Sequence, residues 1–150
     1  MNKVQLSYIA GIVDGEGSIN ICRVQQKDCL YYSLKVAVEM SNKTVPEYLL
    51  KTTGTGSLRS RKRYNSQTGK QYKTAYEWMV SSKKAVDFLK LIKPYLVQKT
   101  EEVNVAIEYQ KTVTNNVNVN KKGRFTKIIT RQLLEKRTEL YKKLKELHSA

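Results

Sequence analysis

The feature that most constrains this chain is a short apolar segment, Leu6 to Val13, which runs into two acidic residues and several glycines. Its nearly continuous apolar content predicts a helix, although Gly11 inside a helix costs roughly 1 kcal/mol relative to alanine. Gly11 and Gly15 are four residues apart, and Ala10 is a third small residue beside them. Small residues at this spacing leave one helix face close to bare backbone, on which a second helix can lie at short range. A copy of the same helix is a candidate for that partner.

The segment ends in Asp14-Gly15-Glu16-Gly17 and continues into the alternating Ser18-Ile19-Asn20-Ile21, which predicts a strand. The two glycines relieve the backbone where the helix stops and the strand starts. Taken alone, this run is typical of a solvated acidic turn. The longer string from Tyr8 to Ile19, Tyr-Ile-Ala-Gly-Ile-Val-Asp-Gly-Glu-Gly-Ser-Ile, resembles the LAGLIDADG motif of homing endonucleases, with Glu16 where many members carry aspartate.

The resemblance implies a helix that packs against its counterpart in a pseudo-twofold assembly and places one acid per half beside a scissile phosphate. By this match Glu16 binds the metal and the Gly15 carbonyl is a possible further ligand. Asp14 is structural, and Ala10, Gly11 and Asp14 belong to the dimer interface. Phosphodiester hydrolysis agrees with this assignment, because divalent cations polarise the phosphate and activate water, and Mg²⁺ accepts carboxylate ligands. We therefore expect Mg²⁺, with Mn²⁺ or Ca²⁺ able to occupy the same site.

The charge balance favours a polyanionic partner. The 150-residue chain, a length typical of one domain, has 28 Lys and Arg against 13 Asp and Glu, a net charge of +15. No stretch approaches the roughly 18 apolar residues of a membrane helix, and no basic region with a cleavable apolar run opens the chain. We therefore expect a soluble, intracellular protein. Its two cysteines and one histidine suggest neither a disulfide framework nor a zinc site.

Two strands are predicted after the acidic turn, from about Ser18 to Val24 and from Tyr32 to Met40. Both alternate with a period of two, so their apolar side chains face a core on one side. The other side of the second strand is short of bulky apolar groups and suits contact with a DNA groove. The predicted DNA contacts of this hairpin are Asn20, Ser33, Lys35 and Glu39.

A second hairpin carries a row of arginines. Arg59, Arg61 and Arg63 share one parity of a strand that begins at Ser57. Such a row is also typical of a solvated edge strand. The bidentate fork of arginine, which fits both guanine and phosphate, favours contact with nucleic acid. The returning strand, from Gln71 to Val80, leaves its phase open, and Tyr76 is its candidate DNA contact.

Helices complete the pattern. We expect Thr44 to cap a helix to about Lys51, and Ser82 to cap another that ends before Pro94. The resulting fold is α+β, an αββαββα arrangement in which helices cover one face of four antiparallel strands and the other face is concave and basic. This order matches the fold of the resembled family over about residues 5 to 112.

The resemblance assigns two more catalytic residues. Lys99 stands where the family carries an active-site lysine, and Asn42 stands where related enzymes place a polar residue that positions water. One departure concerns Pro46, which occupies a position early in the second helix where a family member carries a basic residue. That basic contribution is either missing here or supplied from elsewhere.

The remainder of the chain predicts two helices separated by a loop. Thr100 opens the first with acids in its first turn, and a final helix from about 130 to 147 presents an apolar side to the core. Between them, residues from about 113 to 125 are rich in asparagine and lysine, which predicts a mobile loop. Lys121 in this loop is a candidate phosphate contact.

Together these features predict a homodimeric, Mg²⁺-dependent, site-specific double-strand DNA endonuclease of the intron- or intein-encoded type. It would bind a long pseudo-palindromic site and hydrolyse one phosphodiester per strand. Two copies are needed because only one such motif exists in the chain. The alternative is a protein of the same fold that binds structured intron RNA as a maturase, or a DNA-binding regulator that does not cleave.

Overall fold

A computed structural model of the chain describes residues 1–26, 29–62, 64–114, 117–119, 125–127 and 130–149. The elements in chain order are α1 (Lys3–Glu16), β1 (Gly17–Gln26), β2 (Cys29–Met40), α2 (Thr44–Thr53), β3 (Ser57–Arg61), β4 (Ala75–Ser81), α3 (Ser82–Ile92), α4 (Thr100–Thr114), β5 (Val117–Val119), β6 (Phe125–Lys127) and α5 (Arg131–Ser149). A 3-10 turn at Lys93–Tyr95 follows α3.

The centre of the fold is a four-stranded sheet in the order β1-β2-β4-β3. All neighbouring strands of this sheet are antiparallel. One face of the sheet packs into a core to which all five of these α-helices contribute, and its largest fully buried side chain is Trp78 of β4. The predicted α+β class and its antiparallel sheet with helices on one face are confirmed.

The junction between α1 and β1 has no loop. Asn2 and Gln5 form a capping box at the start of α1, and Gly17 follows the helix directly as its C-cap and the first residue of β1. A Cβ at position 17 would lie 2.5 Å from the carbonyl oxygen of Val13. Close packing therefore requires glycine at position 17. Its backbone conformation does not, because the angles φ −79° and ψ 151° are extended and open to any residue.

Strand pairing settles the phase of β4, which the sequence left open. Trp78 pairs with Val38 and Val80 pairs with Val36, and all four side chains are buried on the helix side of the sheet. Glu77 pairs with Glu39, so the Glu77 side chain lies on the opposite, open face of the sheet. The strand begins at Ala75, later than the predicted Gln71.

Two predicted helix caps are wrong. The N-cap of α2 is Lys43 and the N-cap of α3 is Ser81, each one residue before the predicted cap. Thr44 is the first residue of α2, and its backbone N–H donates to the Asn42 side chain. Ser82 is the first residue of α3, with a φ of 55°.

The C-terminal part of the chain forms more structure than predicted. Instead of an unstructured loop, Val117–Val119 and Phe125–Lys127 pair as antiparallel strands. Helix α5 packs into the common core through Leu140 and Leu144. Its buried Arg137 donates from Nη2 to the Thr112 carbonyl near the end of α4, at 2.8 Å. Within the described residues, no helix is both long enough and apolar enough to cross a membrane.

Candidate functional site

The two carboxylates at the end of α1, those of Asp14 and Glu16, have different surroundings. Glu16 is the last residue of the helix and is exposed to solvent. Within the described part of the chain its carboxylate has no hydrogen-bond or ion-pair partner. Gly15, the other predicted metal ligand, is also exposed. Both oxygens of Glu16 are therefore available to an external ligand.

Asp14 instead binds its own chain. Its Oδ2 accepts a hydrogen bond from the Val97 backbone N–H at 2.8 Å, and its Oδ1 accepts one from the Lys99 backbone N–H at 3.0 Å. Both carboxylate oxygens are thus used to tie the segment before α4 to the end of α1. This geometry agrees with the structural role predicted for Asp14, and its predicted place in a dimer interface stays a prediction.

Lys99 is brought to the same place. Its Nζ donates to the Asp14 carbonyl oxygen at 2.6 Å, and its side chain is half-buried. Because Asp14 also holds the Lys99 backbone, the ammonium group is fixed from two directions. The structure therefore brings Lys99 to the last turn of α1, where its partner Asp14 is two residues before Glu16 in sequence.

Asn42 lies near this end of the sheet, but its side chain is already engaged. Its Oδ1 accepts the Thr44 backbone N–H at 2.9 Å and so helps to start α2. Gly17 pairs with Val38 across the first hairpin, so Glu16 precedes β1 at the edge where β2 ends and Asn42 follows. The amide nitrogen of Asn42, rather than its oxygen, remains for a second contact.

One face of α1 is open and nearly bare. Gly11 and Gly15 are exposed, and a Cβ at either position would meet nothing within 4 Å. Val4 and Tyr8 extend this face toward the helix start, with 78% and 54% of their surface exposed. We call the face formed by these four residues the open strip of α1. Ala10 does not belong to it. That prediction is corrected, because Ala10 is fully buried in the core of its own chain.

The open face of the sheet collects most of the predicted DNA contacts. Asn20 pairs with Lys35 and Cys22 pairs with Ser33, which places all four side chains on one side. Arg59 pairs with Glu77, and Glu77 pairs with Glu39, so the second hairpin adds its side chains to the same surface. We call this surface the open face. It includes Asn20, Ser33, Lys35, Glu39, Arg59, Arg61 and Glu77.

Two other candidates lie elsewhere. Tyr76 is half-buried and shares its side of the sheet with Trp78, the helix-covered side, because it pairs with Met40. This position does not support its predicted contact with DNA in the open face. Arg63 and Lys121 lie outside the described residues.

Glu77 is a site residue that sequence reasoning did not select. It is only 5% exposed, yet its carboxylate contacts two cations of the open face, Lys35 and Arg61. Its sequence signal is the neighbouring Trp78, because a tryptophan assigned to the core places Glu77 on the opposite face. That signal could not be used from sequence, because it was undecided which side chains of β4 face the core.

The residues at the end of α1 fit a metal only as part of a larger site. Within the described ranges, no three His, Cys, Asp or Glu side chains converge to hold an ion. Mg²⁺ commonly binds one or two carboxylates while phosphate oxygens and water complete its octahedron. Glu16 supplies one such carboxylate, so the remaining ligands must come from a second chain, from DNA or from solvent.

Comparison with known proteins gives one consistent result, at the level of structure. No protein-family model matches the chain, and no curated protein matches it. Solved structures do match. The homing endonuclease I-CvuI, in complex with the I-CreI target in the presence of Mg, has a TM-score of 0.73 at 19% identity, over 97% of this chain and 82% of I-CvuI.

Two further matches have the same character. The archaeal intron-encoded homing endonuclease I-Vdi141I, complexed with DNA, has a TM-score of 0.73 at 16% identity, over 96% of this chain and 84% of its own. The homing endonuclease I-TnaI has a TM-score of 0.63 at 18% identity, over 96% of this chain and 95% of its own. Together with the string from Tyr8 to Ile19 and the sheet order, these matches establish that the chain has the LAGLIDADG homing endonuclease fold.

Proposed function

We propose that this protein is a site-specific, double-strand DNA endonuclease that acts as a homodimer and uses a divalent cation, with an intron or intein as its source. The observation that carries the proposal is the contrast between the two acids at the end of α1. Asp14 is fully engaged within its own chain, whereas Glu16, two residues later, is exposed and unpartnered among the described residues. An ion-binding role explains a carboxylate held at a rigid helix end without a protein partner.

The open strip of α1 supports the homodimer. Gly11 and Gly15 allow a second helix to approach closely, and the exposed Val4 and Tyr8 add apolar surface along the same strip. Two copies packed along this strip would bring both Glu16 carboxylates near one axis. One homodimer could then act on both strands of the DNA.

The residues around Glu16 divide the chemistry. A bound divalent cation would polarise the phosphate and lower the pKa of an attacking water. Glu16 would hold that ion, and the Gly15 carbonyl is a candidate second ligand. Lys99, fixed on the Asp14 carbonyl oxygen at 2.6 Å, keeps a positive charge beside the site, where it can stabilise charge that develops on a phosphate. Asn42 would orient water through its amide nitrogen.

The open face provides the DNA platform. Strand β2 has 12 residues, which at ~3.3 Å each span about 40 Å. This length corresponds to about 12 base pairs of DNA, so a dimer would cover a site of roughly 20 base pairs. The net charge of +15 favours such a polyanion.

The test is a selection followed by digestion. Purified protein is used to enrich sites from a pool of duplexes with about 20 randomised base pairs, and the enriched DNA is incubated with Mg²⁺ or with EDTA. We expect cleavage of both strands with Mg²⁺ and an intact complex with EDTA. Binding to DNA without cleavage in either buffer would refute the nuclease and support a regulator. Tighter binding to structured intron RNA than to any selected duplex would support a maturase.

A further inference from the structure

The open face of the sheet has a buried carboxylate at its centre. The Glu77 side chain is 7% exposed, and its Oε1 lies 2.7 Å from Lys35 Nζ and 3.2 Å from Arg61 Nη2. Arg61 Nη2 also lies 3.2 Å from Glu39 Oε2. Two cations that were predicted to contact DNA are thus already paired within the protein.

Both cations reach Glu77 along the surface of the sheet. Lys35 pairs with Ser81, four residues beyond Glu77 on β4, so its side chain must extend along the strand direction to reach the carboxylate. On β2, the residue between Lys35 and Glu39 on this face is the small Ala37, which pairs with Met79. Arg61 pairs with Ala75, another small residue, and reaches across β4 to Glu39 on β2.

The neighbouring arginine differs in this respect. Arg59 lies on the same strand and the same face as Arg61, directly opposite Glu77 in the register. It is exposed, and within the described ranges it forms no ion pair. The two arginines therefore form a matched pair, in which carboxylates hold the guanidinium of Arg61 while that of Arg59 has no ion pair among the described residues.

Resting on the proposed function, we infer that Glu77 is a specificity-determining positioning residue, which holds Arg61 and Lys35 flat on the open face so that Arg61 reads a base edge. The Arg61 side chain is 56% exposed, and the two contacts given above both use Nη2. A guanidinium carries five N–H donors, so donors on the other nitrogens remain for the DNA.

The physical reason is preorganisation. A guanidinium that is already fixed loses less conformational entropy when it forms a bidentate contact, and its fixed position penalises a base that presents the wrong groups. A mobile arginine follows the phosphate backbone and contributes affinity with little base preference. Glu77 and Glu39 also repel phosphate, which disfavours binding in a wrong register.

The experiment compares Glu77→Gln, Arg61→Gln and Arg59→Gln with the parent, using binding without Mg²⁺ so that cleavage plays no part. The probes are the duplex that the parent selects and a scrambled duplex of the same length. We expect Glu77→Gln and Arg61→Gln to relax preference at the same base pairs by roughly tenfold or more. Glu77→Gln should also bind the scrambled duplex more tightly, because it removes a negative charge. Arg59→Gln should weaken both duplexes equally and reduce the salt slope by about one.

Several results would overturn the inference. If Glu77→Gln keeps the parent's base preference, or loses affinity for both duplexes equally, Glu77 has only a structural role. Arg61→Lys covers the case in which Glu77→Gln fails to fold, since it keeps the charge and loses the fork. Retention of the parent's preference by Arg61→Lys would refute base reading by Arg61. A parent that selects no sequence would overturn both proposals, whereas unchanged variants of a selective parent overturn this one alone.

Discussion

The two acids at the end of α1 should respond in opposite ways to the same chemical change. In the parent, both carboxylate oxygens of Asp14 accept hydrogen bonds from backbone N–H groups, at 2.8 and 3.0 Å. In Asp14→Asn, one of these oxygens is replaced by an NH₂ group, which faces a backbone N–H donor and cannot accept its hydrogen bond. In Glu16→Gln, the exposed side chain loses its charge. No hydrogen bond or ion pair within the described part of the chain is lost. The pair is matched in size and in the charge removed.

The structure sets the size of the effect. A hydrogen bond to a charged group contributes about 1.5 to 3 kcal/mol, and the contact with Val97 is discounted because it is exposed to solvent. We therefore expect Asp14→Asn to lower the free energy of unfolding by about 2 to 3 kcal/mol. Glu16→Gln should change it by less than about 0.5 kcal/mol, as is usual for exposed positions without special contacts.

Urea unfolding of the two variants and the parent, at one protein concentration and followed by circular dichroism, measures both values. The concentration must be fixed because dimerisation adds to apparent stability. Equal midpoints for Asp14→Asn and the parent would refute the structural role of Asp14. A large loss of stability in Glu16→Gln would show that its carboxylate supports the fold, which would remove the reason for assigning it to an ion.

Three further predictions concern the helix strip, the junction and the core. Gly11→Leu should leave the protomer folded, because a Cβ there meets nothing within 4 Å, but should convert a sedimenting dimer into monomers; an unchanged dimer would contradict the interface. Gly17→Ala should destabilise the fold by about 1 to 3 kcal/mol in urea, because its Cβ would overlap the Val13 carbonyl oxygen, and an unchanged midpoint would contradict the close packing. Burial raises the pKa of Tyr109 from 10.0 to about 12, with Arg137 opposing. The unfolded chain therefore loses this proton first, and the parent should lose about 2 kcal/mol more stability than Tyr109→Phe between pH 10 and 12; equal losses would contradict the shift.

The first hairpin and α1 could be predicted because their signals are local. Alternation of apolar and polar residues placed Asn20 and Lys35 on one side of the sheet, and the register of β1 and β2 agrees with that prediction. The glycines predicted that α1 ends at Val13 or Asp14, but the helix continues through Gly15 to Glu16 and only Gly17, where a Cβ would meet the Val13 carbonyl oxygen, ends it.

The failures concern features that depend on distant parts of the chain. Ala10 was assigned to the open strip of α1 because it is small and adjacent to Gly11. In the structure it lies on the opposite side of the helix, buried in the core beside Ile9. The phase of β4 depends on which side the helices cover, which no local pattern of that strand reveals. Glu77 became visible as a site residue only when strand pairing placed it between Lys35 and Arg61.

The contact between Asp14 and the segment before α4 was equally out of reach. The two parts of this contact are far apart in sequence, since Lys99 follows Asp14 by 85 positions. The resemblance assigned Lys99 to the active site and a structural role to Asp14, whereas the hydrogen bonds between the two residues, which explain how the lysine is fixed, are seen only in the structure.

We propose that Glu16 enables this protein to cut both strands of a specific duplex. The decisive measurement maps the ends that the parent and Glu16→Gln generate on both labelled strands of the selected DNA in Mg²⁺. We expect the parent to make one cut per strand, symmetric about the centre of the site, and Glu16→Gln to leave an intact, tightly bound duplex. Cleavage by Glu16→Gln at a rate within a few-fold of the parent, or a bound but uncut duplex with the parent, would contradict the proposal.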